Sequence, residues 1–431
     1  MSNLNDFVAL PVRSDAEAVG NAYQERSNMK MALSAVLPKD YDRQSLNNLL
    51  PGEKTFRFSK GSMFGDCVLK VTVNGWSPTS VYPMSAQRGY GYRYISSFSY
   101  KYGNSNEYRV TGRANLLHVM DASPDQTQKL RLLELAGSYF NDPVISGFTG
   151  RQELLMVLSL PHSGPPGHCC VNKIPYDSKL LEDDLEIKIT FAEGKDIYGN
   201  YEDFVANGQL FPTFSADVIM EKFSFVNPQA SMAMSVKNGG RNEYAFMYPN
   251  QIQQSRLGYN TVSGFNVMES TLSGWRQGTT TSIILALIPD RNYAETVVTI
   301  PAEYGLPQHD LAVQIYDIEV ILDGQSIVQM KGNESSIRSL LRGPEDEFPM
   351  TDGDNGFQSP YTTIRLSQYA KKSILGENSQ EAGVDLVSKT LQFRFSTPAS
   401  TVQPTAYTLV AVQNINASLE TASLQNRIRF V

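Results

Sequence analysis

Apolar and polar residues alternate in short runs along most of this chain, as they do in β-strands with one buried face. The clearest run is 185–191, where Leu, Ile, Ile and Phe alternate with Glu, Lys and Thr. Similar runs occur at 67–73 and 214–225, and turns rich in Gly, Pro, Asn and Asp separate them. The pattern predicts an all-β chain of antiparallel strands.

One hairpin pattern occurs twice without a gap, at an offset of 220 residues. The first copy is 95–112 and the second is 315–332, each with alternating residues on both sides of a Gly-containing turn. A short helix is predicted after each copy. The first would be capped by Ser123 and ended by Gly137, and the second would cover 337–341. Two copies of one unit imply a duplicated fold.

The repetition extends to the later strands of both halves. The run 391–395 matches 185–189 in pattern and in place. A Pro-Thr pair precedes the last strand of each half, at 212–213 and at 404–405. Each half has about eight predicted strands, which is typical of a jelly-roll sandwich of two antiparallel sheets.

These boundaries predict an organisation in four parts. An N-terminal arm with a helix occupies 1–50, the first jelly roll 51–227, a linker 228–242 and the second jelly roll 243–431. The predicted fold class is therefore all-β, with two consecutive eight-stranded antiparallel jelly rolls, short helices in loops and an N-terminal helical arm.

The arm is predicted to be separate from the sheets. Ser14 and Glu17 form a capping box before a helix that could extend to about Ala35, and Pro38 would end it. Two interpretations stay open: a solvated or loosely docked helix, or an arm that tethers neighbouring subunits.

Composition narrows the function classes. The 431 residues carry a formal net charge of −7, which argues against a nucleic-acid-binding surface. No apolar run has the roughly 20 residues of a membrane-spanning helix, and no signal peptide is recognised at the amino terminus, so we expect synthesis in a reducing cytoplasm. Cys67, Cys169 and Cys170 predict no disulfide framework.

Two clusters could in principle bind a metal ion, and neither has the required spacing. His162, His168, Cys169 and Cys170 include zinc-ligand types, but three of them are consecutive in the chain. The acidic segment 345–355, which contains Asp352 and Asp354, offers oxygen ligands for calcium without the spacing of an EF-hand. We therefore predict no metal site and no cofactor, an exposed acidic loop, and a Pro/Gly loop with incidental His and Cys.

Other candidate motifs are equally weak. The loop 161–167 lacks the Lys-Ser/Thr of a phosphate-binding loop, and the Arg- and Tyr-rich run 88–94 more closely matches packing or a subunit contact than nucleic-acid stacking. Asn333 and Asn416 begin glycosylation sequons that have little meaning without a secretory signal. No set of catalytic residues is recognised, so the chain is not expected to be an enzyme.

Three parts of the sequence resemble segments of one protein family. They are the hairpin 94–112 with its following helix, the succession 158–161, 173–176 and 184–191, and the closing runs 391–395 and 407–417. The chain resembles the double jelly-roll major capsid proteins shared by tectiviruses, adenovirus hexons and the nucleocytoplasmic large DNA viruses. The resemblance covers roughly residues 50–420 and is one of pattern and order.

The resemblance implies a viral structural protein located in the virion. Its homotrimers of pseudo-hexagonal outline would tile an icosahedral shell, with neighbouring capsomers and minor capsid proteins as partners. Loops at 117–151 and 341–361 would form the outer towers. The arm would face inward, towards an internal membrane in many relatives, without direct contact to nucleic acid.

Two alternatives remain. The chain could be a minor capsid, vertex or assembly-scaffold protein of the same fold. It could also be a carbohydrate-binding β-sandwich, although Trp76 and Trp275 are its only tryptophans for a sugar platform.

Overall fold

Four antiparallel β-sheets make up the described part of the chain in the computed structural model. The described residues are 36–46, 52–76, 90–122, 131–132, 134–137, 150–165, 168, 176–178, 181, 183–193, 197, 213–225, 242–289, 315–330, 361–366, 383–399, 405–422 and 425–430.

Among the described residues, nine strands belong to the first half of the chain and eleven to the second. The first nine are β1 (Val36–Leu46), β2 (Gly52–Phe58), β3 (Met63–Trp76), β4 (Ile95–Tyr102), β5 (Tyr108–Thr111), β6 (Gly150–Val157), β7 (Tyr176–Asp177), β8 (Leu185–Phe191) and β9 (Thr213–Phe225). The others are β10 (Asn242–Leu257), β11 (Asn260–Val262), β12 (Phe265–Thr271), β13 (Thr279–Pro289), β14 (Asp317–Leu322), β15 (Gln325–Met330), β16 (Tyr361–Arg365), β17 (Val384–Asp385), β18 (Leu391–Pro398), β19 (Tyr407–Ala422) and β20 (Gln425–Phe430).

The two halves have the same strand order. In the first half, sheet 1 has the order β1-β9-β3-β6, with β7 beside β3, and sheet 2 has the order β2-β8-β4-β5. In the second half, sheet 3 has the order β10-β19-β13-β16, with β17 beside β13 and β20 beside β19. Sheet 4 has the order β11-β12-β18-β14-β15. Eight main strands therefore follow one jelly-roll path in each half.

The predicted repetition is confirmed strand by strand. The two hairpins of the sequence pattern are β4–β5 and β14–β15, which occupy the same edge of sheets 2 and 4. The strands β8 and β18 lie at corresponding positions, and so do β9 and β19. The predicted all-β fold of two jelly rolls is thus correct, and the reason is that each strand buries one face.

Alternation along the strands builds a hydrophobic core in each jelly roll. In β8, Leu185, Ile187 and Ile189 are fully buried, while Glu186 and Lys188 between them remain partly exposed. In β18 the corresponding buried side chains begin with Leu391 and Phe393. Among the described residues, no helix is long and apolar enough to cross a membrane.

The prediction that residues 1–50 lie outside the sheets is wrong for 36–46. These residues form β1, which pairs antiparallel with β9 along its whole length. Pro38 does not stop the segment because β1 is an edge strand and its register shifts between Pro38 and Asp40, where a missing N–H is tolerated. The pairing partner lies far away in the sequence, so local signals could not reveal it. The predicted helix after Ser14 lies outside the described residues.

A helix that the sequence did not predict follows β5 directly. Helix α1 spans Gly112–Asp121, and the Thr111 hydroxyl caps it by accepting a hydrogen bond from the Ala114 N–H at 3.1 Å. No Glu or Gln completes a capping box, and the helix is buried on nearly every side, so it lacks an amphipathic pattern. The Ser123 cap lies outside the described residues, whereas 131–132 and 134–135 are helical before Gly137, whose φ is +99°.

The β14–β15 turn provides a test of the hairpin. Asp323 and Gly324 both have positive φ, at 49° and 80°, as a two-residue type I′ turn requires. We expect Gly324→Val to destabilise the fold by about 1–2 kcal/mol, because a β-branched residue is strained there. Gly258→Val is the control, since no atom lies within 4 Å of its added Cβ and its φ is not in the left-handed region. Equal urea unfolding midpoints for the two variants would contradict this account of the turn.

Candidate functional site

Sheet 3 is shared between two hydrophobic cores, and this makes the junction of the jelly rolls the candidate functional site. Ile252, Leu285 and Leu409 of sheet 3 belong to the core of the second jelly roll. Phe246 and Val412 of the same sheet pack instead in the core of the first jelly roll. The two sandwiches are therefore joined by continuous apolar packing.

Helix α1 lies against sheet 3 and brings two polar side chains to it. His118 Nδ1 lies 2.9 Å from Asn414 Oδ1. The Asn414 amide donates to Asp121 Oδ2 at 2.7 Å and to Ser282 Oγ at 3.0 Å, and the Ser282 hydroxyl donates to the same Asp121 oxygen at 2.8 Å. All four residues are buried. One amide side chain of β19 thus holds both polar groups of α1.

A second histidine extends this network into the first jelly roll. His168 Nδ1 lies 2.7 Å from His118 Nε2, and His168 Nε2 lies 2.7 Å from the carbonyl oxygen of Leu160. The backbone N–H of Met247 in β10 donates to the carbonyl oxygen of His168 at 2.9 Å. Gly164 packs on the ring so closely that a Cβ there would lie 2.5 Å from His168 Cδ2. His168 is therefore fixed in place from both jelly rolls.

The protonation of the two rings follows from their partners. The Leu160 carbonyl can only accept, and Asn414 presents its oxygen because its amide nitrogen faces Asp121 and Ser282. Two contacts join a ring to an acceptor and a third joins the two rings, so the three contacts need three protons, whereas two neutral imidazoles carry two. Burial lowers the pKa of His118, and the hydrogen bond to Asn414 and the Asp121 carboxylate oppose that effect. Burial of this network is therefore costly, and its hydrogen bonds form only when α1, His168 and sheet 3 are in one relative position.

An aromatic cluster lies beside the network. The hydroxyl of Tyr102 is 2.6 Å from His162 Nδ1, and the His162 ring stacks on Tyr176 with 5.6 Å between ring centroids. Tyr176 in turn contacts Tyr244 of β10 at 4.9 Å between centroids. The contacts lead from sheet 2 through the loop that carries His162 to the edge strand of sheet 3.

Arg276, in the β12–β13 connection, is enclosed by three rings from different strands. Its guanidinium carbon lies 4.2 Å from the ring centroid of Phe430, 5.0 Å from that of Tyr248 and 5.5 Å from that of Tyr108. Burial raises the pKa of Tyr248, and the positive charge of Arg276 partly offsets this effect. Because Tyr108 lies in β5 and Phe430 in β20, this cation–π contact joins the first jelly roll to the last strand.

Glu420 anchors the last strand by ionic hydrogen bonds. Its two carboxylate oxygens accept from Arg427 Nε at 2.6 Å and from Arg429 Nη1 at 2.7 Å. Burial raises the pKa of Glu420, but the hydrogen bonds from Arg429 and Arg427 outweigh burial, so its pKa lies below the ordinary value of 4.5. The ionised form therefore stabilises the β19–β20 pairing.

The structure separates the metal candidates of the sequence. His162 and His168 are buried and hydrogen-bonded within the junction, so they are not incidental residues of an open loop. Cys169, Cys170 and the acidic segment 345–355 lie outside the described residues. Within the described part of the chain, no group of three His, Cys, Asp or Glu side chains could hold a metal ion.

Burial raises the pKa of the Cys67 thiol far above its ordinary value, which keeps it protonated.

The remaining candidates have structural surroundings. Tyr92 and Tyr94 of the run 88–94 are buried in the first core, as the packing interpretation predicts, while Arg88 lies outside the described residues. Asn416 is only 2% exposed, and this leaves no room for a glycan. The indole N–H of Trp275 donates to the carbonyl oxygen of Leu272 at 3.0 Å. Asn333 is not among the described residues.

Sequence reasoning missed the residues that build the junction. The resemblance places residues 117–122 in an outer loop, whereas the structure buries them at the end of α1. The available signal was polar residues inside strongly apolar strands, such as Ser282 before the run 283–288 and Asn414 after 409–412. Such residues need buried partners, although the sequence does not identify them.

Comparison with solved structures defines the class of fold. The chain superposes on VP54 of PBCV-1, in a structure fitted into a cryo-EM reconstruction of the virophage Sputnik, with a TM-score of 0.60, 10% identity and coverage of 91% of this chain and 97% of that chain. A quasi-atomic model of the PBCV-1 virus capsid gives a TM-score of 0.58 with 11% identity, over 91% of this chain and 97% of that chain.

The mavirus major capsid protein gives a TM-score of 0.51 with 12% identity, over 98% of this chain and 92% of that chain. Family models and curated proteins give no match to the sequence. The fold is therefore that of the double jelly-roll capsid proteins, although the sequence identities are only 10–12%.

The network at α1 can be tested by removing its central amide. Asn414→Leu leaves Asp121 and His118 buried without that partner, and we expect a loss of about 3 kcal/mol in the free energy of unfolding. Asn260→Leu makes the same chemical change at an exposed site in β11 and should shift stability by less than about 0.5 kcal/mol. Chemical unfolding of both variants measures the difference, and equal values would show that Asp121 and His118 do not depend on the Asn414 amide.

The anchor at Glu420 predicts a pH dependence. Because the folded pKa is lowered, its stabilisation is complete above about pH 4.5 and is lost as the pH falls through the folded pKa. We expect Glu420→Gln to cost about 1–2 kcal/mol at pH 7, since both arginines are partly solvated, and to cost progressively less below pH 4.5.

The matched control for this anchor is Glu269→Gln, which removes a solvated ion pair with Arg394 on sheet 4. It should have little effect at either pH. Urea unfolding of both variants between pH 3.5 and 7 provides the measurement. A Glu420→Gln deficit that does not shrink in acid would contradict the assignment.

Proposed function

We propose that this chain is a viral major capsid protein whose homotrimers form pseudo-hexagonal capsomers of an icosahedral shell. The observation that carries the proposal is the repeated strand order of sheets 1 and 2 in sheets 3 and 4. The similarity to capsid structures over at least nine tenths of the chain supports it. Two equivalent sandwiches per chain give six around a threefold axis, which suits a sixfold lattice position.

The junction supports a structural role for the chain. A shell subunit must keep its two sandwiches in a constant relative position, because their outer surfaces make contacts with neighbours. Apolar packing, the His118 network and the Arg276 cluster all cross the junction. These are the contacts expected of a rigid building block rather than of two domains that move independently.

The domain limits are also a proposal. We place the first jelly roll from residue 36, since β1 completes sheet 1, to residue 227, and the second from 243 to 431. The linker between them is 228–242. The segment before residue 36 would be an arm that contacts neighbouring subunits or an internal membrane.

The remaining partners and the location follow from the same proposal. The protein would act without catalysis or cofactors, in the virion, after synthesis in the host cytoplasm. Its main partners would be other copies of itself, with minor capsid proteins at special positions of the shell. Its net charge of −7 supports an absence of direct contact with nucleic acid.

The test of this proposal is the assembly state. We expect the purified chain to have a mass about three times its 47.9 kDa in light scattering at neutral pH, and to rank among the most abundant proteins of purified particles. A monomer under all conditions would contradict the trimer. A trimer of low copy number would instead identify a vertex or other minor component.

A further inference from the structure

Three of the four histidines of this chain, His118, His162 and His168, are buried at the junction of the jelly rolls. Two of them meet ring to ring, since His118 Nε2 lies 2.7 Å from His168 Nδ1. The outer nitrogens of this pair are occupied as well. His118 Nδ1 contacts the Asn414 side-chain oxygen, and His168 Nε2 contacts the carbonyl oxygen of Leu160. All four ring nitrogens of the pair therefore take part in a contact.

The outer contacts determine where the protons of two neutral rings would be. The Asn414 amide nitrogen donates to Asp121, so its oxygen faces His118, and His118 must donate from Nδ1. The Leu160 carbonyl only accepts, so His168 must donate from Nε2. A neutral imidazole has one N–H, and both are thus used. The inner nitrogens would then present two lone pairs to each other at the distance of a strong hydrogen bond.

We propose that the pair of His118 and His168 holds one additional proton between its rings at neutral pH, and that this shared proton fixes helix α1 against sheet 3. With it, the pair carries one positive charge and all three of its ring contacts are hydrogen bonds. Both rings, Asn414 and Asp121 belong to one chain, so the shared proton would act in a single subunit as well as in an assembly.

The positive charge of the pair has a buried counter-charge. Asp121 lies three residues after His118, on the same side of α1. Its Oδ2 accepts hydrogen bonds from both Asn414 and Ser282, as a carboxylate does. The Asn414 side chain therefore connects the two charges. The arginines of α1 and of the elements beside it keep part of their surface in solvent: Arg93, Arg109 and Arg113.

The contacts that reach the pair from β10 and from the loop are neutral. Phe246 of β10 packs on the His168 ring with 5.8 Å between ring centroids, and the Met247 N–H donates to the His168 carbonyl oxygen. The titratable His162 of the same loop contacts the rings of Tyr102 and Tyr176. Asp121 is the charged group that raises the pKa of His118, which agrees with its role as counter-charge.

The shared proton belongs to the pair and not to one ring. Burial disfavours a charge on His118 and lowers the pKa of that ring taken alone. The second ring reverses this balance, because removal of the proton breaks a hydrogen bond and leaves two lone pairs 2.7 Å apart. We therefore expect the pKa of the pair to lie above the ordinary histidine value of about 6.5. The stabilisation is then complete below about pH 6.5 and is lost as the pH rises through the folded pKa.

Loss of the shared proton would force the two rings apart. His118 is part of α1, whereas His168 is held by the Leu160 carbonyl and by Met247 of β10. Separation of the rings therefore displaces α1 from sheet 3 or the His168 loop from β10. The relative position of the jelly rolls would be fixed in neutral and mildly acidic solution and less so in alkaline solution.

The first experiment counts the protons that unfolding releases. Between pH 7 and 8.5, we expect the urea unfolding equilibrium constant of the unmodified chain, divided by that of His168→Gln, to rise by up to about 10-fold per pH unit. A Gln amide can donate to His118 Nε2 without an additional proton, so the variant loses this pH dependence whatever its stability. The Cys67 thiol is the same in both chains, and its ionisation cancels in the ratio.

The matched control is His162→Gln, because an amide oxygen can accept from the Tyr102 hydroxyl as the ring nitrogen does. It leaves the pair of His118 and His168 intact and should keep the pH dependence of the unmodified chain. An equal pH dependence for the unmodified chain and His168→Gln would overturn the proposal.

The second experiment does not require a variant to fold. The unmodified chain, labelled with ¹⁵N in its histidines, is examined by NMR at pH 7. A proton between the rings gives a coupling between His118 Nε2 and His168 Nδ1, and we expect it to disappear as the pH is raised. Two unprotonated inner nitrogens without this coupling at pH 7 would overturn the shared proton and leave the capsid proposal standing.

Discussion

The constraint on which this molecule depends is that one sheet serves two cores. Strands β10 and β19 have 16 residues each, longer than the strands of a single sandwich need. Part of their length closes the second jelly roll, and the rest enters the core of the first, where Phe246 and Ala417 are fully buried. Separating the jelly rolls would expose that apolar surface, so their relative position is fixed by the same force that folds each one.

Apolar packing alone tolerates small displacements, and the polar groups remove that freedom. His118, Asp121 and Asn414 lose their hydration when the junction forms, and they recover hydrogen bonds in one arrangement only. Such a network adds little net stability because burial of its charges is costly. Its value is geometric: a shift of α1 along sheet 3 would leave several buried groups without partners.

The local sequence pattern was enough to predict the fold, but it was not enough to predict the residues of the junction. The strand β8 alternates so regularly that its assignment follows from side-chain geometry, and the Asp-Gly turn of β14–β15 determines its own backbone conformation. Strand β1 and helix α1 were missed because their structure is imposed from outside, by pairing with β9 and by burial on all sides. His168 and Asn414 are 246 residues apart in the sequence, and only the fold brings both to His118.

The duplication explains why the two halves are not interchangeable. Identical sandwiches would cover their outward faces equally, yet Asn414 and Val412 are fully buried whereas Val68 and Ile219 remain partly exposed. Helix α1 buries the outward face of sheet 3, and buried polar side chains make that contact specific. The equivalent face of sheet 1 carries charged side chains such as Lys70 and Asp217 beside Val68 and Ile219. The two copies of the fold have therefore diverged most where one jelly roll packs on the other, because only there does a polar side chain lose its hydration and need one fixed partner.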